Sequence, residues 1–300
     1  MGHSMKHQML NAIEQSFRPG ESKRTADEIK RSETVYSFQY RENLRDIASD
    51  FSKFMKDNYK DVKLLKDIAP VHVEAYLKEK DKTVSSATLT AYKSGLEKIG
   101  KCASNVYRTR INLKSDYQAA PKEKIRDIAM KQEDYKALMK ATESRPCQSR
   151  LAVELARVFG LRVCEVVKIT PRDIKGNVLH IHESKGGRSR DLKIKTEEQR
   201  AVIEKLNQLE TSKSKPYIQV KEDSVNKWLG DNLKKIGITV YNEAKTGVHA
   251  VRKMYAEERY QENREKGMDH KKAWGEVSVE LGHSEDRESL FRTYCPTLAK

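Results

Sequence analysis

Cysteine is scarce and unpatterned in this 300-residue chain: Cys102, Cys147, Cys164 and Cys295 include no CxxC pair and no metal-ligand spacing. A disulfide framework and a structural zinc site therefore lack the residues they need, and reduced thiols are the expected state. Long apolar runs are missing as well. No stretch approaches the roughly 18 residues that a membrane-spanning helix requires, and the opening MGHSMKHQMLNAIEQSF lacks the apolar stretch of a secretory signal. The chain holds no internal repeat and no low-complexity tract. Acidic residues are the remaining deficit: 44 Asp and Glu face 59 Lys and Arg, a net charge of +15. Such an excess favours a polyanionic partner, because every phosphate neutralised releases counterions. The basic residues are dispersed and not gathered beside an amphipathic anchor, which argues against a membrane surface.

What is present is helical periodicity. The first 35 residues are polar and basic, and RPGESKRTADEIKRSE reads as a loop or a loosely held helix. From 36 to 117 the pattern is helical. LRDIASDFSKFMKDNY spaces Leu44, Ile47, Phe51, Phe54 and Met55 by threes and fours. Pro70 suits the first turn of a second helix, Ser85 or Ser86 caps a third, and Gly100 is expected to end it. Residues 118–124 form a polar linker in which Pro121 biases Ala120 away from helix. A larger domain is expected over 125–300. It holds the amphipathic SRLAVELARVFG, closed by Gly160, and NVLHIHESKGGRSRDLKIK, where apolar and polar residues alternate about a Gly-Gly turn. The fold class expected is mainly α with a small antiparallel β-sheet.

Four short stretches carry candidate chemistry. GLRVCEVVKI contains Arg162 and Glu165, and HESKGGRSRDL contains Lys185 at a hairpin turn. TGVHAVRKMY contains His249 and Arg252, and ELGHSEDRESLFRTY contains His283 and Tyr294. Each is bland alone. A helix arginine is ordinarily solvated, a lysine at a hairpin tip blunts aggregation, and an H-x-x-R pair ordinarily decorates a charged face. His180 and His182, on the first hairpin strand, are of that ordinary kind.

Together and in this order, the four stretches resemble the catalytic domain of the tyrosine recombinases, the phage integrase family. That family's pattern is Arg, an acidic residue, Lys, His-x-x-Arg, His or Trp, then Tyr; Arg162, Glu165, Lys185, His249, Arg252, His283 and Tyr294 fill it. The helical stretch 36–117 is similar to the family's core-binding domain. The resemblance implies a site-specific DNA recombinase, an integrase of a mobile element, acting on double-stranded DNA through a 3′-phosphotyrosyl intermediate. It implies no cofactor and no metal. It further implies four protomers on paired sites, accessory DNA-bending or directionality proteins, and a cytoplasmic, nucleoid-associated location.

The chemistry fits the residue types. Arginine offers a planar fork to phosphate oxygens, so Arg162 and Arg252 would neutralise charge in the transition state. Ionising a phenol of ordinary pKa before attack costs about 4 kcal/mol at pH 7, so something must take its proton during attack. The resemblance makes Tyr294 the nucleophile and Lys185 the acid for the departing 5′ oxygen. His249 is the candidate base and His283 a donor to the phosphate. Glu165 would hold an arginine or histidine in place.

Three features depart from the family's compact form. The stretch between Arg252 and His283 is long, with Asp269 expected to cap an additional helix carrying Trp274, Val277 and Leu281. Six residues follow Tyr294, fewer than in members that dock a tail on a neighbour, so that assembly route is not counted on. The basic N-terminal segment is a candidate for accessory arm sites. Ser284 is expected to cap a helix EDRESLFRTY in which Leu290 and Phe291 orient the phenol. Two other readings stand beside the recombinase: a type IB topoisomerase-like enzyme that relaxes one duplex as a monomer, and a DNA-binding protein that kept the fold without the reaction.

Overall fold

The computed structural model describes residues 4–23, 25–118, 128–184 and 188–299. The chain divides into two units, Met1–Glu123 and Lys124–Lys300.

The first unit is helical: α1 (Met5–Gln15), α2 (Glu28–Glu33), α3 (Phe38–Asn58), α4 (Pro70–Asp81) and α5 (Ser86–Tyr107). Ser37 starts α3 by accepting the Tyr40 N–H at 3.2 Å, and Leu44, Ile47, Phe51 and Met55 bury its apolar face. Pro70 stands in the first turn of α4, and Ser85 caps α5 through the Thr88 N–H at 3.2 Å. Within the polar and basic first 35 residues, α2 buries none of its residues, whereas α1 packs on α3 and α5 and buries Met5, Met9, Ala12 and Ile13. Those residues recur at helical spacing, a stripe that the surrounding polar and basic residues mask. One expectation is corrected: Gly100 does not end α5. A Cβ there would stand 3.2 Å from both the Ile111 carbonyl oxygen and the Leu113 nitrogen, so glycine admits a close strand of chain mid-helix.

The second unit carries α6 (Gln132–Ala141), α7 (Gln148–Phe159), α8 (Val163–Val166), β1 (Ile174–Lys175), β2 (Val178–Ser184) and β3 (Arg188–Lys193). After them come α9 (Glu197–Asn207), α10 (Glu222–Lys235), α11 (Val240–Glu243), α12 (Val248–Glu265), α13 (His270–Glu280) and α14 (Phe291–Tyr294). The fold is mainly α with one small antiparallel sheet, ordered β1-β2-β3. Helix α7 is the central post. It buries Ala152, Val153, Leu155, Ala156 and Phe159 and packs against α9, α10 and α12. In the hairpin, Leu179 pairs with Leu192 and Ile181 with Arg190, with both β2 residues and Leu192 turned into the core. Lys185, expected from sequence at a hairpin turn, lies outside the described residues, as do 119–127, which include most of the expected linker.

Asp269 caps α13 by accepting the Lys272 N–H at 2.8 Å, and Trp274, Val277 and Leu281 are buried. The segment after it differs from the expected single helix. A 3-10 turn, Glu288–Leu290, leads into the four-residue α14, with no side-chain cap from Ser284. The buried Trp274 indole donates to the Arg287 carbonyl at 3.0 Å, a tertiary bond at this turn that local sequence does not announce.

Candidate active site

Gly160, in the left-handed conformation at φ +62°, stops α7 and delivers Leu161 and Arg162 to the start of α8. Glu165, three residues on, reaches back so that its Oε2 accepts the Arg162 backbone N–H at 2.9 Å, half of a capping box. Its Oε1 accepts from Arg162 Nη1 at 2.7 Å. Glu165 is 4% exposed and does not line the cavity described below. Its visible work is to hold an arginine.

His249 and Arg252 sit in the opening turns of α12, whose first N–H, from Val248, is accepted by Asn226 Oδ1 at 3.0 Å. His249 is exposed while Arg252 is 0% exposed. The Arg252 guanidinium donates to the Gly160 carbonyl and, at 2.5 Å, to the Leu281 carbonyl, and lies 3.8 Å from Glu165. A buried cation needs such partners, since desolvation otherwise dominates. Burial pushes Arg252 down to about 10, with Tyr294 and Glu165 opposing the fall and Arg162 adding to it; the group stays cationic at neutral pH.

The Leu281-Gly282-His283 sequence is a helix ending with a Schellman geometry. The Gly282 N–H reaches the Val279 carbonyl and the His283 N–H the Ser278 carbonyl, each at 2.8 Å, with Gly282 at φ +77°. This turn sets His283 in place. His283 Nε2 meets Tyr294 Oη at 3.1 Å and Arg162 Nη2 at 3.1 Å. An arginine only donates, so the shared nitrogen is the acceptor of that bond. Tyr294 is 6% exposed, its ring centroid 5.3 Å from the Arg252 guanidinium carbon and 5.5 Å from the His249 ring. Phe291 anchors the segment on Trp274, at 5.4 Å between ring centroids. Beside Tyr294, Cys295 is buried, and burial raises its thiol, which suits packing and not attack.

Arg162, His249, Arg252, His283 and Tyr294 line one cavity of about 940 Å³. Lys227 and Lys245 also line it, adding positive charge. Five of the seven residues singled out from sequence thus converge; Glu165 stands behind Arg162, and Lys185 lies outside the described residues. The sequence reading missed Arg190. It forks Glu165 at 3.0 and 2.9 Å from the core-facing side of β3, where strand alternation calls for an apolar residue. A cation at an inward register position was the available signal.

Residues 129–287 match the phage integrase family. The integrase of Escherichia phage lambda is 37% identical over 68 residues, 23% of this chain and 19% of that protein, so the matched stretch spans about a fifth of its length. A lambda integrase tetramer solved on a Holliday junction superposes with a TM-score of 0.64 at 17% identity, covering 96% of this chain and 76% of that one. The XerH recombinase bound to its difH substrate gives a TM-score of 0.60 at 15% identity, covering 97% and 90%. These likenesses establish a shared fold, and the family match takes in more than half of the sequence. The chain belongs to the phage integrase family.

Proposed function

We propose that this chain is a site-specific DNA recombinase that cleaves and rejoins double-stranded DNA through a 3′-phosphotyrosyl bond to Tyr294. The observation that carries the reading is the meeting of a phenol, an imidazole and an arginine at one nitrogen, His283 Nε2, on the wall of a cationic cavity. A backbone phosphate entering the cavity draws on Arg162 and Arg252 for charge that accumulates on its non-bridging oxygens. Tyr294 Oη forms a bond to phosphorus as the bond to the 5′ oxygen breaks, so the energy of the diester is conserved for rejoining. Lys185 is assigned the proton for the departing oxygen, on the sequence pattern alone.

The phenol's own proton needs an acceptor, and geometry favours His283 over His249 for that task. One lone pair on Nε2 cannot fully serve both Arg162 and Tyr294. When a phosphate oxygen takes the Arg162 Nη2 donor, that lone pair is released to accept from the phenol. Deprotonation is thereby tied to arrival of substrate. His249, edge-on to the phenol ring, is left to donate to the phosphate.

Strand exchange between two duplexes requires four copies, in keeping with the tetrameric lambda integrase on its junction. The enzyme would work on the nucleoid in the cytoplasm, with accessory DNA-bending or directionality proteins as further partners. The test uses nicked duplexes drawn from DNA flanking the gene, labelled at the 5′ end of the cut strand. The label should travel with the protein, and the released 5′-hydroxyl strand should religate without ATP. A label released as free DNA while the protein carries the unlabelled downstream fragment would refute the 3′ linkage, and relaxation of plasmid lacking the site would favour the topoisomerase.

A further inference from the structure

Arg190 does not line the cavity, and its side chain is 8% exposed, yet every nitrogen of its guanidinium is engaged. Nη1 donates to Glu165 Oε1 at 3.0 Å, Nη2 to Oε2 at 2.9 Å, and Nε to the Glu280 carbonyl at 2.9 Å. It lies directly beneath the turn that sets His283: a Cβ on Gly282 would stand 2.8 Å from Arg190 Nη1. A carboxylate offers about four acceptor positions. Among the described residues Glu165 receives four donors, two from Arg190 and, from Arg162, the backbone N–H and Nη1, which fill those positions.

An arginine and a carboxylate left to themselves favour a two-bond fork. Here Arg190 occupies the fork, and Arg162 makes one side-chain bond to Glu165 while its Nη2 points to His283. We infer that Arg190 is a positioning residue for the reaction: by filling Glu165 it denies Arg162 the second bond and keeps Arg162 Nη2 available to His283 and the entering phosphate. The inference rests on the phosphoryl-transfer reading for its consequence, though not for its geometry.

The experiment has two arms. In the first, crystal structures of the full chain without DNA are compared for wild type, Arg190→Ala and Arg190→Met, the last keeping aliphatic volume if the alanine variant does not fold. Arg162 should swing to fork Glu165 and leave hydrogen-bonding distance of His283; an Arg162 that keeps its wild-type contacts in a folded variant overturns the proposal. In the second, single-turnover cleavage of the nicked duplex should fall by about 100-fold, the scale of a small misplacement at the reacting centre. DNA affinity should change by no more than about threefold, as befits a group that contacts no phosphate. Arg190→Lys, which has charge without a fork, should recover part of the rate. In a Glu165→Gln background the loss of Arg190 should cost little more. Full additivity there would mean that Arg190 merely braces the Glu280 turn, and would overturn the proposal. A wild-type protein that forms no adduct would count against the recombinase reading alone, because the Arg162 geometry still decides the first arm.

Discussion

Tyr294 Oη and His283 Nε2 stand 3.1 Å apart, joining the short C-terminal helix to the turn that closes α13. The proposed route for the phenol's own proton follows from that contact and from the Arg162 guanidinium that shares it. Removing His283 should therefore slow adduct formation by roughly 100-fold or more, the usual scale for a general base. The defect should shrink as pH rises, because hydroxide can then take the proton that the missing imidazole would accept. His249→Ala should show no such convergence with wild type. Rate–pH profiles of both variants decide the assignment, and convergence seen only in the His249 variant would reverse it.

Arg252 is a structural cation as well as a candidate phosphate ligand. Arg252→Ala would leave the Gly160 and Leu281 carbonyls without their donor and empty a fully buried volume. A loss of roughly 3–5 kcal/mol is expected, or about 10 °C in melting temperature. Arg162, whose side chain is 15% exposed, should cost far less on the same substitution. Thermal unfolding of the two variants side by side checks this; equal melting temperatures would mean that Arg252 is not buried as described.

The catalytic pattern was legible where function and local structure use the same residues. Glu165 accepts the Arg162 backbone N–H at the start of α8, His249 and Arg252 share a helix face one turn apart, and Leu281-Gly282-His283 closes a helix. Chemistry and chain geometry coincide there, so short-range spacing exposes both. What escaped depends on tertiary partners. Arg190 is meaningful only once β2 and β3 are in register. Gly100 looks like a helix end until the 111–113 segment is seen against it. The N-terminal stripe of Met5, Met9, Ala12 and Ile13 is outweighed locally by polar neighbours, and the turn before Tyr294 carries a bond from Trp274.

The thiols offer a check that needs no DNA. Cys147 is exposed, whereas Cys102 and Cys295 are buried and burial raises their thiols, which lowers the reactive thiolate at any given pH. Alkylation of native protein at pH 8, mapped by mass spectrometry, should modify Cys147 first and leave Cys102 and Cys295 until unfolding. Early labelling of Cys295 would contradict the packing around Tyr294.

The net charge of +15 sets an expectation for binding. With six or more phosphates contacted, DNA affinity should fall by about three powers of ten or more between about 50 and 200 mM salt. Fluorescence anisotropy across that range measures the slope, and a flat response would remove the electrostatic argument for a DNA partner.

The central claim is that Tyr294 attacks a DNA phosphate, and a denaturing gel of protein incubated with nicked duplex from the gene's flanking DNA tests it most directly. Wild type should yield a covalent protein–DNA band whose modified peptide contains Tyr294, while Tyr294→Phe, folded and able to bind DNA, should yield none. An adduct of undiminished intensity in the phenylalanine variant, or one mapped to another residue, would contradict the account.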